Sequence, residues 1–424
     1  MKNMNRRSFL KSTSGAMSTV FLRSLATGIP VSYLLQPSHA RAQMNRSNFQ
    51  TLILSTSYRG DPLNINCPGS YVNGVTNHPR LETSRARFGS SERVRAARVW
   101  CDLPRGLRNK MAFVHYSSRT AAHPEYRDTM KFKGSVKSEL GNGTEMFPSA
   151  IAQMSASNGV YKQREPIPLC DSFLSFNAQP LQTVKPQSLR ALFNNADQAL
   201  ADLRSTRDQV LDEIYGDMSL NGNKSQRDFI DQYALSREQA RNLGQNLGTY
   251  LESLSSDGED ANGAGDQIIA AVALAKLEIA PVITINIPFG GDNHQDNGLI
   301  NEERDTLSGV AHIADLWDKL GGLNIRNKVT FATMNVFGRR SYLNSRGGRD
   351  HNRHHSVMVA FGNQIQGGVY GGMNSNGEAR NIGNINVNSS MEAAGFSLAR
   401  ALGHSADDTQ NRIHNGQLIN GFLS

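Results

Sequence analysis

Val282-Ile283-Thr284-Ile285 and Val329-Thr330-Phe331-Ala332, with Leu307, Val310, Ala314, Trp317 and Leu320 recurring between them, decide the fold. Short apolar runs rich in β-branched residues read as strands buried on both faces. The spacing between the two runs puts one apolar stripe on a helix, and Gly321-Gly322 reads as its stop. Strand, helix, strand is the unit of a parallel sheet with helices on its faces. Thr51-Leu52-Ile53-Leu54, Ala112-Phe113-Val114 and Val357-Met358-Val359-Ala360 are runs of the same kind, so the fold class is α/β.

A different pattern fills residues 188–254. Leu189, Leu192, Phe193, Ala196, Leu200 and Leu203, then Leu243, Leu247, Leu251 and Leu254, recur at helical spacing, and Asn221-Gly222-Asn223 separates the two stretches. This segment reads as a helical insertion packed on the sheet. The polar stretch 255–265 reads as a surface loop, and Ile268 to Leu277 as a helix leading back into the sheet.

The chain opens on Asn5-Arg6-Arg7-Ser8-Phe9-Leu10-Lys11, followed by a mostly apolar stretch from Ala16 to Leu35 and an A-x-A site at Ala40-Arg41-Ala42. That order is a twin-arginine export signal over residues 1–42. It predicts handling by the twin-arginine translocase, a periplasmic or secreted location, and one mature domain over 43–424. About 380 residues suffice for a large α/β domain with an insertion. The formal charge of +8 falls to +2 once the six basic residues of the signal, which holds no acid, are set aside. So balanced a charge, without a Lys/Arg-rich run, speaks against a nucleic-acid partner. No second long apolar stretch predicts a transmembrane segment in the mature chain. Cys67, Cys101 and Cys170 allow one disulfide at most and have no C-x-x-C spacing, which excludes zinc-finger and thioredoxin readings.

The chemistry-bearing residues cluster after the proposed strands. Asp61 follows the first strand, in Tyr58-Arg59-Gly60-Asp61-Pro62-Leu63-Asn64; Asp292 and His294 follow the third, in Gly290-Gly291-Asp292-Asn293-His294. Beyond the fourth comes Gly347-Gly348-Arg349-Asp350-His351-Asn352-Arg353-His354-His355. Open α/β sheets bind ligands outside the carboxyl ends of their strands. Mixed carboxylate and imidazole groups suit a divalent metal, and roughly six of them from three loops are enough for two ions a few ångströms apart. The residue types do not choose among zinc, manganese, iron and calcium. The plainer alternative makes Asp292 and Asp350 turn caps and leaves the histidines idle. Three clusters at three strand ends favour the metal.

These segments, with Met334-Asn335-Val336-Phe337-Gly338-Arg339 and Gln366-Gly367-Gly368-Val369-Tyr370-Gly371, resemble the domain-of-unknown-function family numbered 1501. That family is exported, often by twin-arginine signals, and is related to the alkaline phosphatase and sulfatase superfamily. The resemblance implies an alkaline phosphatase-like α/β/α sandwich with a mixed, mainly parallel sheet. It also implies two metal sites, one lined by Asp61, Asp350 and His351, the other by Asp292, His294 and either His354 or His355. A superfamily nucleophile would fall within His115-Tyr116-Ser117-Ser118-Arg119-Thr120-Ala121-Ala122-His123, with Ser118 and Thr120 as candidates and Thr120 preferred as nearer His123. Arg339 or Arg353 would hold the anion of a small anionic ester. The chain departs from the family at Val336, where a Glu is usual, and at Asn293, where a Thr is common. Two functions follow as expectations: an exported metal-dependent hydrolase of phosphate or sulfate esters using two ions, or a non-catalytic exported member that binds a metal or serves envelope assembly.

Overall fold

A computed structural model of the chain describes residues 50–139, 143–156, 161–194 and 261–424, together with Glu213, Gly216, Leu220, Leu251 and Glu252. The proposed signal segment lies outside the described residues, and so does most of the proposed insertion. The chain divides into two units. One comprises Asn45–Thr183 with Gly263–Ser424; the other comprises Val184–Asn262 with Met1–Met44. Of the second, the described part is chiefly the helix Pro186–Asn194, within which Leu189 is buried.

The first unit is built on a seven-stranded sheet. Its strands are β1 (Thr51–Ser57), β2 (Met111–Tyr116), β3 (Ile167–Pro168), β4 (Val282–Ile285), β5 (Val329–Asn335), β6 (Ser356–Phe361) and β7 (Gly368–Tyr370). The spatial order is β7-β2-β6-β5-β1-β4-β3. Pairing is parallel between β1 and both β4 and β5, between β3 and β4, and between β2 and β7. β6 alone runs against its neighbours β2 and β5. The sheet is therefore mixed and mainly parallel.

Every residue of β1, β2, β4, β5 and β6 is buried, as expected of strands covered on both faces. Alternation sends Leu52, Leu54, Val114, Met334 and Met358 to one face, into a core shared with α1 (Phe147–Ala156) and α4 (Ser390–Ala401). Ile53 and Phe113 point the other way, where Trp100 meets Phe113 edge-on and stacks on Phe289. On that side α2 (Ala264–Lys276) packs on β4 and on α3 (Ile300–Gly322), whose Trp317 meets Phe361 of β6 edge-on. Helices thus cover both faces, an arrangement consistent with an α/β/α sandwich. Each fully buried large apolar side chain contributes about 1.5–3 kcal/mol of transfer free energy.

The helix expected from Leu307 to Leu320 is α3, but it is rotated from the expected stripe. Thr306, Val310, Ile313, Leu316 and Leu320 face inward, while Leu307 is exposed. Gly309 sets that rotation: a Cβ there would lie 2.7 Å from the Phe289 ring, so Phe289 seats where only a glycine leaves room. The helix expected over Ile268 to Leu277 is α2. All three cysteines are buried free thiols. Among the described residues no helix is long and apolar enough to cross a membrane.

Topology decides where side chains can meet. β1, β2, β4 and β5 run the same way, so their carboxyl ends share one sheet edge. β6 runs in reverse, so its first residue starts at that same edge. The loops that follow β1, β2, β4 and β5, and the segment that precedes β6, all emerge there.

Candidate metal centre

Four side chains from three of those loops converge. His123 comes from the loop after β2, Asp292 and His294 from the loop after β4, and His351 from a short antiparallel ladder, Gly338–Arg339 against His351–Asn352, between β5 and β6. One ligand atom from each lies within 4.8 Å of the others. His294 Nε2 is 2.7 Å from His351 Nε2 and 3.6 Å from Asp292 Oδ1, and His123 Nε2 is 3.4 Å from Asp292 Oδ2.

The outer nitrogen of each ring fixes what the inner one offers. His123 Nδ1 lies 2.8 Å from the Tyr58 carbonyl, His351 Nδ1 2.5 Å from the Ala121 carbonyl, and His294 Nδ1 3.1 Å from Asp350 Oδ1. A carbonyl or carboxylate oxygen only accepts, so each Nδ1 carries a proton, and in the neutral ring the Nε2 lone pair faces inward. Asn344 Nδ2 donates to the same Asp350 oxygen; with His294 it holds the Asp350 carboxyl below its ordinary pKa, ionised to orient the ring. Burial pushes the His351 imidazole down to about 4 despite the Ala121 carbonyl, so it is neutral at neutral pH. Two Nε2 lone pairs 2.7 Å apart repel unless a proton or a cation sits between them. His123 Nε2 is buried with no hydrogen-bond partner. The donor set and its unmet demand fit a divalent cation.

Asp292 is set by Arg339. Burial opposes its ionisation, but the Arg339 charge and hydrogen bond outweigh it, and the carboxyl is held below the ordinary range. Arg339 is fully buried and donates 2.9 Å to Asp292 Oδ1, 2.6 Å to the Arg59 carbonyl and 3.2 Å to the Arg349 carbonyl, with Nε on the Gly60 carbonyl. Its backbone amide is held in turn by Asn64 Oδ1 at 2.8 Å. Gly60 has φ +67°, and a Cβ there would overlap the Phe337 ring, which packs 4.2 Å from the ring of His351. The turn after β1 is thereby locked against the centre.

The other residues singled out in the sequence lie elsewhere. Asp61 is buried beneath the β4 loop, accepting from the Gly291 amide at 2.8 Å and the Phe289 amide at 3.5 Å; burial raises its pKa. His354 is exposed, with its backbone amide on Asn352 Oδ1. His355 is fully buried, and both its ring nitrogens are engaged, Nε2 with His115 Nδ1 at 2.8 Å and Nδ1 with Asn64 Nδ2 at 3.0 Å. Ser118 Oγ donates to the Thr120 carbonyl at 3.3 Å, and Thr120 Oγ1 accepts from the Ala122 amide at 3.2 Å, so both hydroxyls are engaged within their own loop. Arg353 is exposed. Val336 is buried in the core shared with α1 and α4. His123 is the member of the cluster that was not singled out as a ligand. Its signal was present in Ala122-His123-Pro124, a histidine shortly after a buried strand, like the other clusters.

An open polar cleft of ≈ 670 Å³ adjoins the centre, with Asp292, His294 and Asp350 in its wall. No curated protein and no solved structure matches the chain. Residues 135–404, which include Asp292, His294, Asp350 and His351 but not His123, match the family described as "Protein of unknown function (DUF1501)"; that span is more than half of the chain, which therefore belongs to this family.

Proposed function

We propose that this protein is an exported metal-dependent hydrolase of phosphate or sulfate esters, working at one divalent transition-metal ion held by His123, Asp292, His294 and His351. One observation carries the reading: three imidazole Nε2 atoms and a carboxylate converge, with every Nδ1 already committed to an oxygen. Three nitrogen donors and one carboxylate favour zinc, manganese or iron over calcium, which takes oxygen ligands. Asp61 and His355 stay outside the cluster, so this reading needs one ion where the sequence suggested two. A bound cation would supply Lewis-acid polarisation of a phosphoryl or sulfuryl oxygen. The chain's own part is positional: Asp350 orients His294, Ala121 and Tyr58 orient the other two rings, and Arg339 keeps Asp292 ionised. The relation to alkaline phosphatases and sulfatases that the motif resemblance implies is what suggests the ester class, and the Arg6-Arg7 segment is what suggests export of a chain folded around its ion.

A second reading, a metal-binding protein without turnover, is favoured by Ser118 and Thr120, which are buried and whose hydroxyls bond within their own loop. Assays of mature protein on phosphate monoesters, phosphate diesters and sulfate esters decide between them. Turnover that His294→Ala removes supports the hydrolase; a metal-loaded protein inert to the whole set leaves the second reading.

A further inference from the structure

The cleft beside the centre holds one residue that the site as described does not use. Among its lining residues Arg346 is the only arginine or lysine, and it is exposed. Two further arginines beside the centre, neither of them in the cleft wall, are committed elsewhere. Arg339 is committed to three carbonyls and Asp292, and Arg349 is fully buried, with Nε 2.7 Å from Glu302 and Nη1 on the carbonyls of Thr76, Arg340 and Ser341. Among the described residues the Arg346 guanidinium makes no hydrogen bond or ion pair.

Its backbone, by contrast, is fixed to the centre. Asn344 Oδ1 accepts from the amides of Arg346 at 2.9 Å and Gly348 at 3.2 Å, closing a turn in which Gly347 has φ +76°. Asn344 Nδ2 then donates to Asp350 Oδ1 at 3.0 Å, the same oxygen that receives His294 Nδ1. Gly348 lies so close to the β4 loop that a Cβ there would fall 2.0 Å from the Asn293 carbonyl. A guanidinium free at its tip, on a turn tied to a ligand's own hydrogen-bond partner, is placed to meet an anion that reaches the centre. Guanidinium pairs bidentately with the oxygens of tetrahedral oxyanions.

We infer that Arg346 is the substrate-binding residue of this cleft, pairing with the tetrahedral oxyanion of a phosphate or sulfate ester while another of its oxygens faces the centre. The inference rests on the function proposed above. The test uses the full mature chain loaded with metal, with inorganic phosphate and inorganic sulfate titrated separately by calorimetry into wild type, Arg346→Gln and Arg346→Lys. Metal content of each protein is read alongside. The expected result is unchanged metal content and at least a tenfold loss of affinity for one or both anions in Arg346→Gln, with Arg346→Lys between; the tighter of the two anions names the ester class. Metal bound but anion affinity equal in wild type and Arg346→Gln, or no anion bound by the metal-loaded wild type, overturns the role of Arg346 alone. No metal in the wild type overturns the proposed function and this inference with it.

Discussion

Two pairs of histidines in this molecule touch at nearly the same distance and are chemically opposite. His115 and His355, under the sheet edge, meet Nδ1 to Nε2 at 2.8 Å; His294 and His351, at the centre, meet Nε2 to Nε2 at 2.7 Å. Around the buried pair the donors run in one direction. Asn64 donates to His355 Nδ1, His355 Nε2 to His115 Nδ1, and His115 Nε2 to the Pro68 carbonyl. Every lone pair and every proton has its partner, so this chain is complete as it stands. At the centre the oxygens take both Nδ1 protons, so the inner nitrogens of two neutral rings confront each other with nothing left to donate. Proximity of histidines therefore says little; the direction of the outer hydrogen bonds separates a closed structural chain from a set of side chains that could hold a cation.

The largest expected effect breaks the buried pair by acid. Burial takes the His115 imidazole down to about 4 and His355 well below its ordinary value, and likewise takes His404 down to about 4. In the unfolded chain these rings titrate near about 6.5. Below that pH the unfolded state binds protons that the folded state does not. Stability is therefore full above about pH 6.5 and falls as the pH drops toward 4, by at most about 1.4 kcal/mol per pH unit per histidine. Urea melts between pH 7 and 4.5 check this; a flat profile would contradict a neutral buried pair.

Next in size is the stabilisation conferred by metal. With free ion at about a thousand times its Kd, binding adds about 4 kcal/mol, so a chelator lowers the melting temperature of the wild type and leaves that of His351→Ala unmoved. Scanning calorimetry reads both. His355→Ala sharpens the contrast, because it leaves one Asn64 Nδ2 proton and His115 Nδ1 without a partner and opens a cavity, costing about 3 kcal/mol while metal content stays at the wild-type level. The smallest effect belongs to Asp350→Ala, which removes the partner of His294 without removing a ligand. It weakens metal binding about 10- to 100-fold, or about 1.4–2.7 kcal/mol, as measured by competition with a chromogenic chelator.

Five of the seven strands were legible because they carry short apolar runs buried on both faces; β3 and β7, of two and three residues, are too short to leave such a pattern. The rotation of α3 was not, since Leu307 and Ile313 are equally apolar and only Phe289 against Gly309 decides between their faces. Asp292, His294, Asp350 and His351 were marked by glycines and by their place after strands. His123 joins them from a loop 169 positions before Asp292, a proximity created by the β2–β6–β5 pairing and absent from any local spacing. His355 shows the converse. It sits in the same run of imidazoles as His351, but it abuts the first residue of β6 and is drawn under the sheet to His115.

The metal centre is tested by elemental analysis of untagged protein purified without chelators, beside a His294→Ala, His351→Ala double variant. The expected result is about one equivalent of a transition metal in the wild type and none in the variant. A wild-type protein without metal, or a variant that keeps the same amount, would contradict it.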